Sequence, residues 1–284
     1  MEFRVVRDAT MRHGGAPTRR QRFFWLLARA RAVWHEQGPL QFGRRAVAFA
    51  WRRSLRPLMP IRRSFYWSGV RVHEDRALDG WFAPDRHPLQ LIDIPNYEEA
   101  LVEGLQRLVR PGDRVVVVGG GLGVTSVVAA QAAGVSGQVW SYEASVTKLF
   151  WIRSTCALNR KLTPMAPLHV VHAYVGQALP AMIDPSDVDL VEPSALPVCD
   201  VLELDCEGSE LGILEGMTIR PRGLVVETHG VFGAPTLAVR KVIESWGYSV
   251  LSVRLAEERM HDLHVAQDVQ VIVAGRDSAR DAGE

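Results

Sequence analysis

The sequence predicts an α/β fold: a doubly wound, mostly parallel sheet of seven strands, preceded by a basic helical extension. Three observations carry this. Val115-Val116-Val117-Val118 is a β-branched run bounded by glycines, the pattern of a strand buried on both faces. Gly119, Gly121 and Gly123 follow it at once, and they let the backbone turn tightly where any Cβ would clash. From there to the end of the chain, apolar runs and helix-compatible stretches alternate, which implies helices crossing over between parallel strands.

The extension, residues 1–63, comes first. Gly14, Gly15 and Pro17 are breakers; Thr18 and Gln21 then form a capping box that opens a helix to about Gln37. Gly38 and Pro39 close it. A second helix is expected from about Leu40 to Leu55. Val47, Trp51 and Leu55 share one face of it, and Arg45, Arg52, Arg53 and Arg56 lie on the other. These 63 residues hold 15 arginines, no lysine and three acids, a net +12 in a chain whose formal charge is only +1, so the remainder carries −11. Such asymmetry points to a polyanionic contact, a membrane surface or, less so, nucleic acid. The apolar stripe of the second helix is expected to pack on the main domain with its arginines solvated, and a basic amphipathic helix with tryptophan can alternatively sit at an anionic membrane interface.

Residues 64–95 form an aromatic connecting or cap segment with Phe65, Tyr66, Trp67, Trp81 and Phe82. The main domain, residues 96–284, opens with a helix over Tyr97–Val109 and turns at Pro111-Gly112-Asp113. Its strands are expected at Arg114–Val118, Gln138–Tyr142, Leu168–His172, Asp200–Leu204 and Gly223–Glu227, with a last pair at Tyr248–Val253 and Val269–Ala274. Val124–Ala133 is the helix after the first strand.

The composition excludes several classes. Hydrophobic content of 47% and charged content of 23% are those of a globular protein. No apolar run reaches the ~18 residues of a membrane span. Arginines interrupt every apolar stretch before residue 64, so no secretion signal is expected. Cys156, Cys199 and Cys206 have no C-x-x-C pairing and read as reduced thiols of a cytoplasmic protein, peripheral to the membrane if the arm docks there.

Glu143 ends the second strand 24 residues after Gly119, close to the ~20 at which an acid grips a ribose hydroxyl in a nucleotide-binding βαβ unit. A dinucleotide loop needs G-x-G-x-x-G. Here the third position falls on Val124 or Ser126, whereas Gly119, Gly121 and Gly123 fit G-x-G-x-G. That spacing resembles the S-adenosylmethionine loop of class I methyltransferases. An NAD(P)-dependent oxidoreductase of Rossmann type is the alternative enzyme, and an adaptor with a docking arm is the non-enzymatic one.

Ligands of open α/β sheets bind beyond the carboxyl ends of the strands. Two further polar clusters fall there: Asp205-Cys206-Glu207-Gly208-Ser209-Glu210 and Glu227-Thr228-His229. Acids in series at such places are costly if buried without partners.

The element Asp205-x-Glu207-Gly208-x-Glu210-x-x-x-Leu214-x-Gly216, followed by Glu227-x-His229, resembles the FkbM family of S-adenosylmethionine-dependent methyltransferases over roughly residues 92–255. The resemblance implies a class I methyltransferase fold, S-adenosyl-L-methionine as cofactor, and methylation of a hydroxyl on a sugar, glycan or small metabolite. Many class I members carry an acid where this chain has Val117, and the family often has lysine where this chain has Glu203.

Methyl transfer from a sulfonium requires alignment and removal of the acceptor's proton. Glu207 and His229 are the expected bases, with Asp205 orienting. A divalent ion held by Asp205, Glu207 and Glu227 is a less favoured expectation.

Overall fold

The computed structural model describes residues 64–73, 93–177 and 188–276, together with Gly38, Pro39, Gly43 and Val47. All four of these single positions are helical. Gly43 and Val47 fall inside the expected Leu40–Leu55 helix; Gly38 and Pro39, expected to close the first helix, are helical instead. The other expectations for residues 1–63 lie outside the described residues.

The strands are β1 (Ser64–Trp67), β2 (Val70–His73), β3 (Arg114–Val118), β4 (Gln138–Glu143), β5 (Leu168–Val175), β6 (Asp189–Val191), β7 (Val201–Leu204), β8 (Gly223–His229), β9 (Ser249–Leu255) and β10 (Val269–Gly275). The helices are α1 (Glu99–Leu108), α2 (Val124–Ala133), α3 (Val146–Arg160), α4 (Glu210–Gly216), α5 (Thr236–Ser245) and α6 (His261–Gln267). They belong to one compact unit, Arg62–Ala77 with Leu89–Glu284.

Eight strands form the main sheet, in the order β6-β5-β4-β3-β7-β8-β10-β9. All neighbours are parallel except β10, which runs antiparallel to both β8 and β9. The seven expected strands are all present, and β6 adds an edge beyond β5. This is a Rossmann-like, mostly parallel sheet. The chain winds outward from β3 through β4 and β5, then returns to β7 on the other side of β3. That reversal opens a crevice at the carboxyl ends of β3 and β7, where ligands of such sheets bind.

The core has two layers. Val115 and Val117 of β3 pack with Leu101, Leu105, Val127, Val225 and Val273 on one face. Val116 and Val118 pack with Leu202, Leu204, Ile213, Leu214 and Ile243 on the other. The alternation follows from the period of two along a strand, and burial on both faces explains the unbroken valine run.

Helix α1 begins at Glu99 rather than Tyr97 because Glu98 has φ +49, outside the right-handed region. Residues 64–73 fold as the β1–β2 hairpin. Asn159 of α3 clamps it: its side-chain amide donates to the Arg71 carbonyl at 2.7 Å, and its oxygen accepts the Arg71 N–H at 3.0 Å. Among the described residues, no helix is long and apolar enough to cross a membrane.

Candidate functional site

The crevice is shaped first by glycine. Gly119 has φ +92, and a Cβ there would stand 1.7 Å from the Asp205 carbonyl oxygen, so the loops after β3 and β7 meet only because this residue has no side chain. The Asp205 N–H donates to the Val118 carbonyl at 2.9 Å, carrying the parallel ladder one residue past β7. Gly123 has φ +83, and a Cβ there would press on the α3 backbone at Ile152. The turn ends directly in α2, so a helix N-terminus with its partial positive charge opens on the crevice.

Glu143 stands beside this loop and is 5% exposed. Its Oε2 accepts the Gly121 N–H at 3.1 Å and its Oε1 accepts the Ser145 N–H at 2.8 Å. Each oxygen thus has one fixed bond and one remaining lone pair, a pre-positioned double acceptor. Gly119, Gly121, Gly123 and Glu143 therefore come together as the spacing implied.

The second half of the site lies where β7 and β8 end. Glu203 pairs in register with Val225, so Asp205 and Glu227 are the next pair on the same sheet face, with His229 two residues beyond. Acceptor or donor atoms of Asp205, Glu227 and His229 lie within 4.8 Å of one another. His229 Nε2 is 3.6 Å from Asp205 Oδ1 and 3.5 Å from Glu227 Oε1. On the other side of the ring, His229 Nδ1 is 2.9 Å from Glu210 Oε1.

Glu210 opens α4 and has no exposed surface. Its carboxylate folds back over its own loop and accepts the Cys206 N–H at 3.0 Å and the Gly208 N–H at 2.9 Å. An acceptor so placed takes the Nδ1–H of His229, which turns Nε2 toward Asp205 and Glu227.

The electrostatics follow from this crowding. Burial alone would push the His229 imidazole down; the hydrogen bond to Glu210 and the close carboxylates of Glu227 and Asp205 outweigh it and lift the group to about 10. Asp205 is raised well above the usual carboxylate range, by burial first and then by Glu227 and Glu98. Glu203 is raised for the same reasons, burial first and then Asp205. It has no exposed surface, and among the described residues neither of its side-chain oxygens has a hydrogen-bond partner. Glu98 is pushed up to about 8 by burial and by Glu227 and Glu257, against a hydrogen bond with Tyr97.

Glu207 stands apart from this cluster. It has φ +52, its side chain is 70% exposed, and it faces Lys148 Nζ at 3.9 Å. The expected ligand set Asp205, Glu207 and Glu227 is therefore not assembled; His229 occupies the place given to Glu207. Sequence reasoning gave no role to Glu98, nor to Glu210 as the anchor of His229. The period of two had a usable signal for the rest, since Glu203 and Asp205, like Glu227 and His229, are i, i+2 pairs.

No protein-family model matches this chain, and no curated protein matches it. Among solved structures it is similar to precorrin-6y C5,15-methyltransferase from Geobacter metallireducens GS-15, at 15% identity, covering 66% of this chain and 93% of that one with a TM-score of 0.42. It is similar to ribosomal protein L11 methylase from Lactobacillus delbrueckii subsp. bulgaricus at 13% identity, covering 68% and 91%, TM-score 0.42. It is also similar to an rRNA-methylase, so described as putative, from Clostridium thermocellum at 13% identity, covering 65% and 98%, TM-score 0.41. At these values the fold assignment rests on the strand order itself.

Proposed function

We propose that this protein binds S-adenosyl-L-methionine and transfers its methyl group to a hydroxyl of a sugar, glycan or small-metabolite acceptor. The observation that carries the reading is Glu143: a buried carboxylate at the end of β4, held by two backbone amides beside a G-x-G-x-G turn. Two free lone pairs, one on each oxygen, suit the two adjacent hydroxyls of a ribose. The glycine turn leaves the backbone bare where the rest of the nucleoside would lie.

The carboxylate–imidazole cluster suits the second half of the reaction. A sulfonium is already a strong electrophile, so alignment and proton removal are what the protein contributes. An acceptor hydroxyl seated between Asp205 and Glu227 gives up its proton to the Glu227 carboxylate as the methyl group transfers. His229, anchored by Glu210, orients these carboxylates. This distributes the work differently from the sequence expectation, which gave the proton to Glu207 or His229.

The test is calorimetric titration of the full chain with S-adenosylmethionine. Glu143→Ala removes charge-assisted bonds of about 1.5–3 kcal/mol each before water compensates. Affinity is expected to fall at least tenfold, with the circular dichroism spectrum unchanged. Wild-type affinity in Glu143→Ala, or binding of NAD(H) in preference to S-adenosylmethionine, would sink the reading.

A further inference from the structure

We propose that Asp205, Glu227 and His229 form a binding site for a divalent transition-metal cation. The methyl-transfer reading bears on the role of the ion but not on the existence of its site. The Nε2–oxygen separations of 3.5 and 3.6 Å are longer than an ordinary N–H···O hydrogen bond of about 2.7–3.2 Å. They match ligands of one ion instead. With metal–ligand bonds of about 2.0–2.2 Å, two neighbouring ligands stand about 3.0–3.5 Å apart. The three ligand atoms all lie within 4.8 Å of one another, and side-chain adjustment would close them on a common centre.

The orientation of the His229 ring fits an ion as well. A metal-bound histidine characteristically donates its other N–H to a carboxylate, which fixes the tautomer and aims the free lone pair. Glu210 does this to His229 at 2.9 Å, and it is itself locked by the Cys206 and Gly208 amides. The backing carboxylate is fully buried, so its position does not depend on a mobile side chain.

Glu203 lies on the same sheet face, two residues before Asp205, with both carboxyl oxygens buried and unpartnered. A buried acid without a partner is costly, and a cation at the centre of the cluster supplies the missing counter-charge. One imidazole with carboxylates suits Mn²⁺, Fe²⁺ or Zn²⁺ better than a cage of oxygens alone would. On the methyl-transfer reading, such an ion would polarise the acceptor hydroxyl and ease loss of its proton.

The test uses the full chain, stripped with chelator and titrated with Mn²⁺ alone, followed by calorimetry and by the electron-paramagnetic-resonance signal of free Mn²⁺. One saturable ion per chain is expected, with a rise in unfolding temperature. Affinity should fall at least tenfold in Asp205→Asn and in Glu227→Gln, and about 10–100-fold in Glu210→Gln, which loses only the backing of the ring. Glu207→Gln should bind as the wild type does. Absence of saturable binding by the wild type would overturn the proposal and leave the cluster as an ion-pair network or a seat for an organic cation. Binding undiminished by both Asp205→Asn and Glu227→Gln would overturn it too, since the ion would then lie elsewhere. Neither result depends on S-adenosylmethionine, whose binding is measured separately.

Discussion

A histidine held by one carboxylate through Nδ1 and faced by two more through Nε2 gives up its proton reluctantly. At about 10, His229 stays protonated at neutral pH unless a cation takes the place of the Nε2 proton. Its contribution is therefore to position Asp205 and Glu227 rather than to accept a proton alone. Glu207, which shares the same motif, is turned away to solvent and Lys148. These two placements lead to opposite outcomes. His229→Asn should lower turnover at least tenfold, read as S-adenosylhomocysteine released with a hydroxyl acceptor, while cofactor affinity stays within about twofold. Glu207→Gln should leave both within about twofold, because an exposed pair of this length contributes little. Equal losses in the two variants would contradict this division. The direction of Glu207 could not be read from the chain. Had β7 continued, period-two alternation would have put Glu207 on the face of Glu203 and Asp205. The strand ends at Leu204, and Gly208 adopts φ +110 against Phe232, so the turn throws Glu207 outward. That contact joins residues far apart in sequence, and no local pattern announces it.

Elements were more legible than side-chain directions. The valine run at β3 and the helix over Val124–Ala133 stand where the pattern put them, because burial on both faces and glycine punctuation are local signals. Strand β6 escaped notice because three residues, Asp189–Val191, are too few to show a period. The β1–β2 hairpin was foreseen only as strands or a cap. What holds it is a tertiary clamp, since Asn159 offers an acceptor and a donor to Arg71 as a neighbouring strand would. The same amide also donates to the Thr155 carbonyl at 2.8 Å, and the residue is buried. Asn159→Ala strips partners from both backbone groups of Arg71 at once. A destabilisation of about 2–3 kcal/mol is expected in denaturant titration. Amide exchange should accelerate in residues 64–73 while β3 and β7 keep their protection. A stability loss spread evenly over the sheet, with the hairpin no more exposed than the rest, would mean the clamp is incidental.

Across the whole molecule the acidic crevice sets how stability responds to pH. Glu98, raised to about 8, keeps a proton in the folded state at values where an unfolded glutamate has released it. Glu203 and Asp205 are raised in the same direction. A carboxyl raised by folding favours the folded state at low pH and costs stability as the pH climbs through the interval between its unfolded and folded values. For Glu98 that interval runs from 4.5 to about 8. His229 has the same sign: its protonated pairing stabilises fully below 6.5 and is lost as the pH rises toward about 10. With chelator present, so that no cation offsets the carboxylates, unfolding temperature should be highest near pH 5 and fall steadily to pH 9. Glu203 accounts for part of this slope, and it lies among Val117 and Val225 with no partner for either oxygen. Glu203→Met keeps nearly the same volume and removes the orphaned acid. It should raise stability at pH 8 by about 1–3 kcal/mol, the penalty of an unsatisfied buried polar group. It should also flatten the profile between pH 5 and pH 8. A stability that rises with pH over this range would show that the crevice acids are not held protonated by the fold. A loss of stability in Glu203→Met at every pH would show that the carboxyl has a partner on which folding depends.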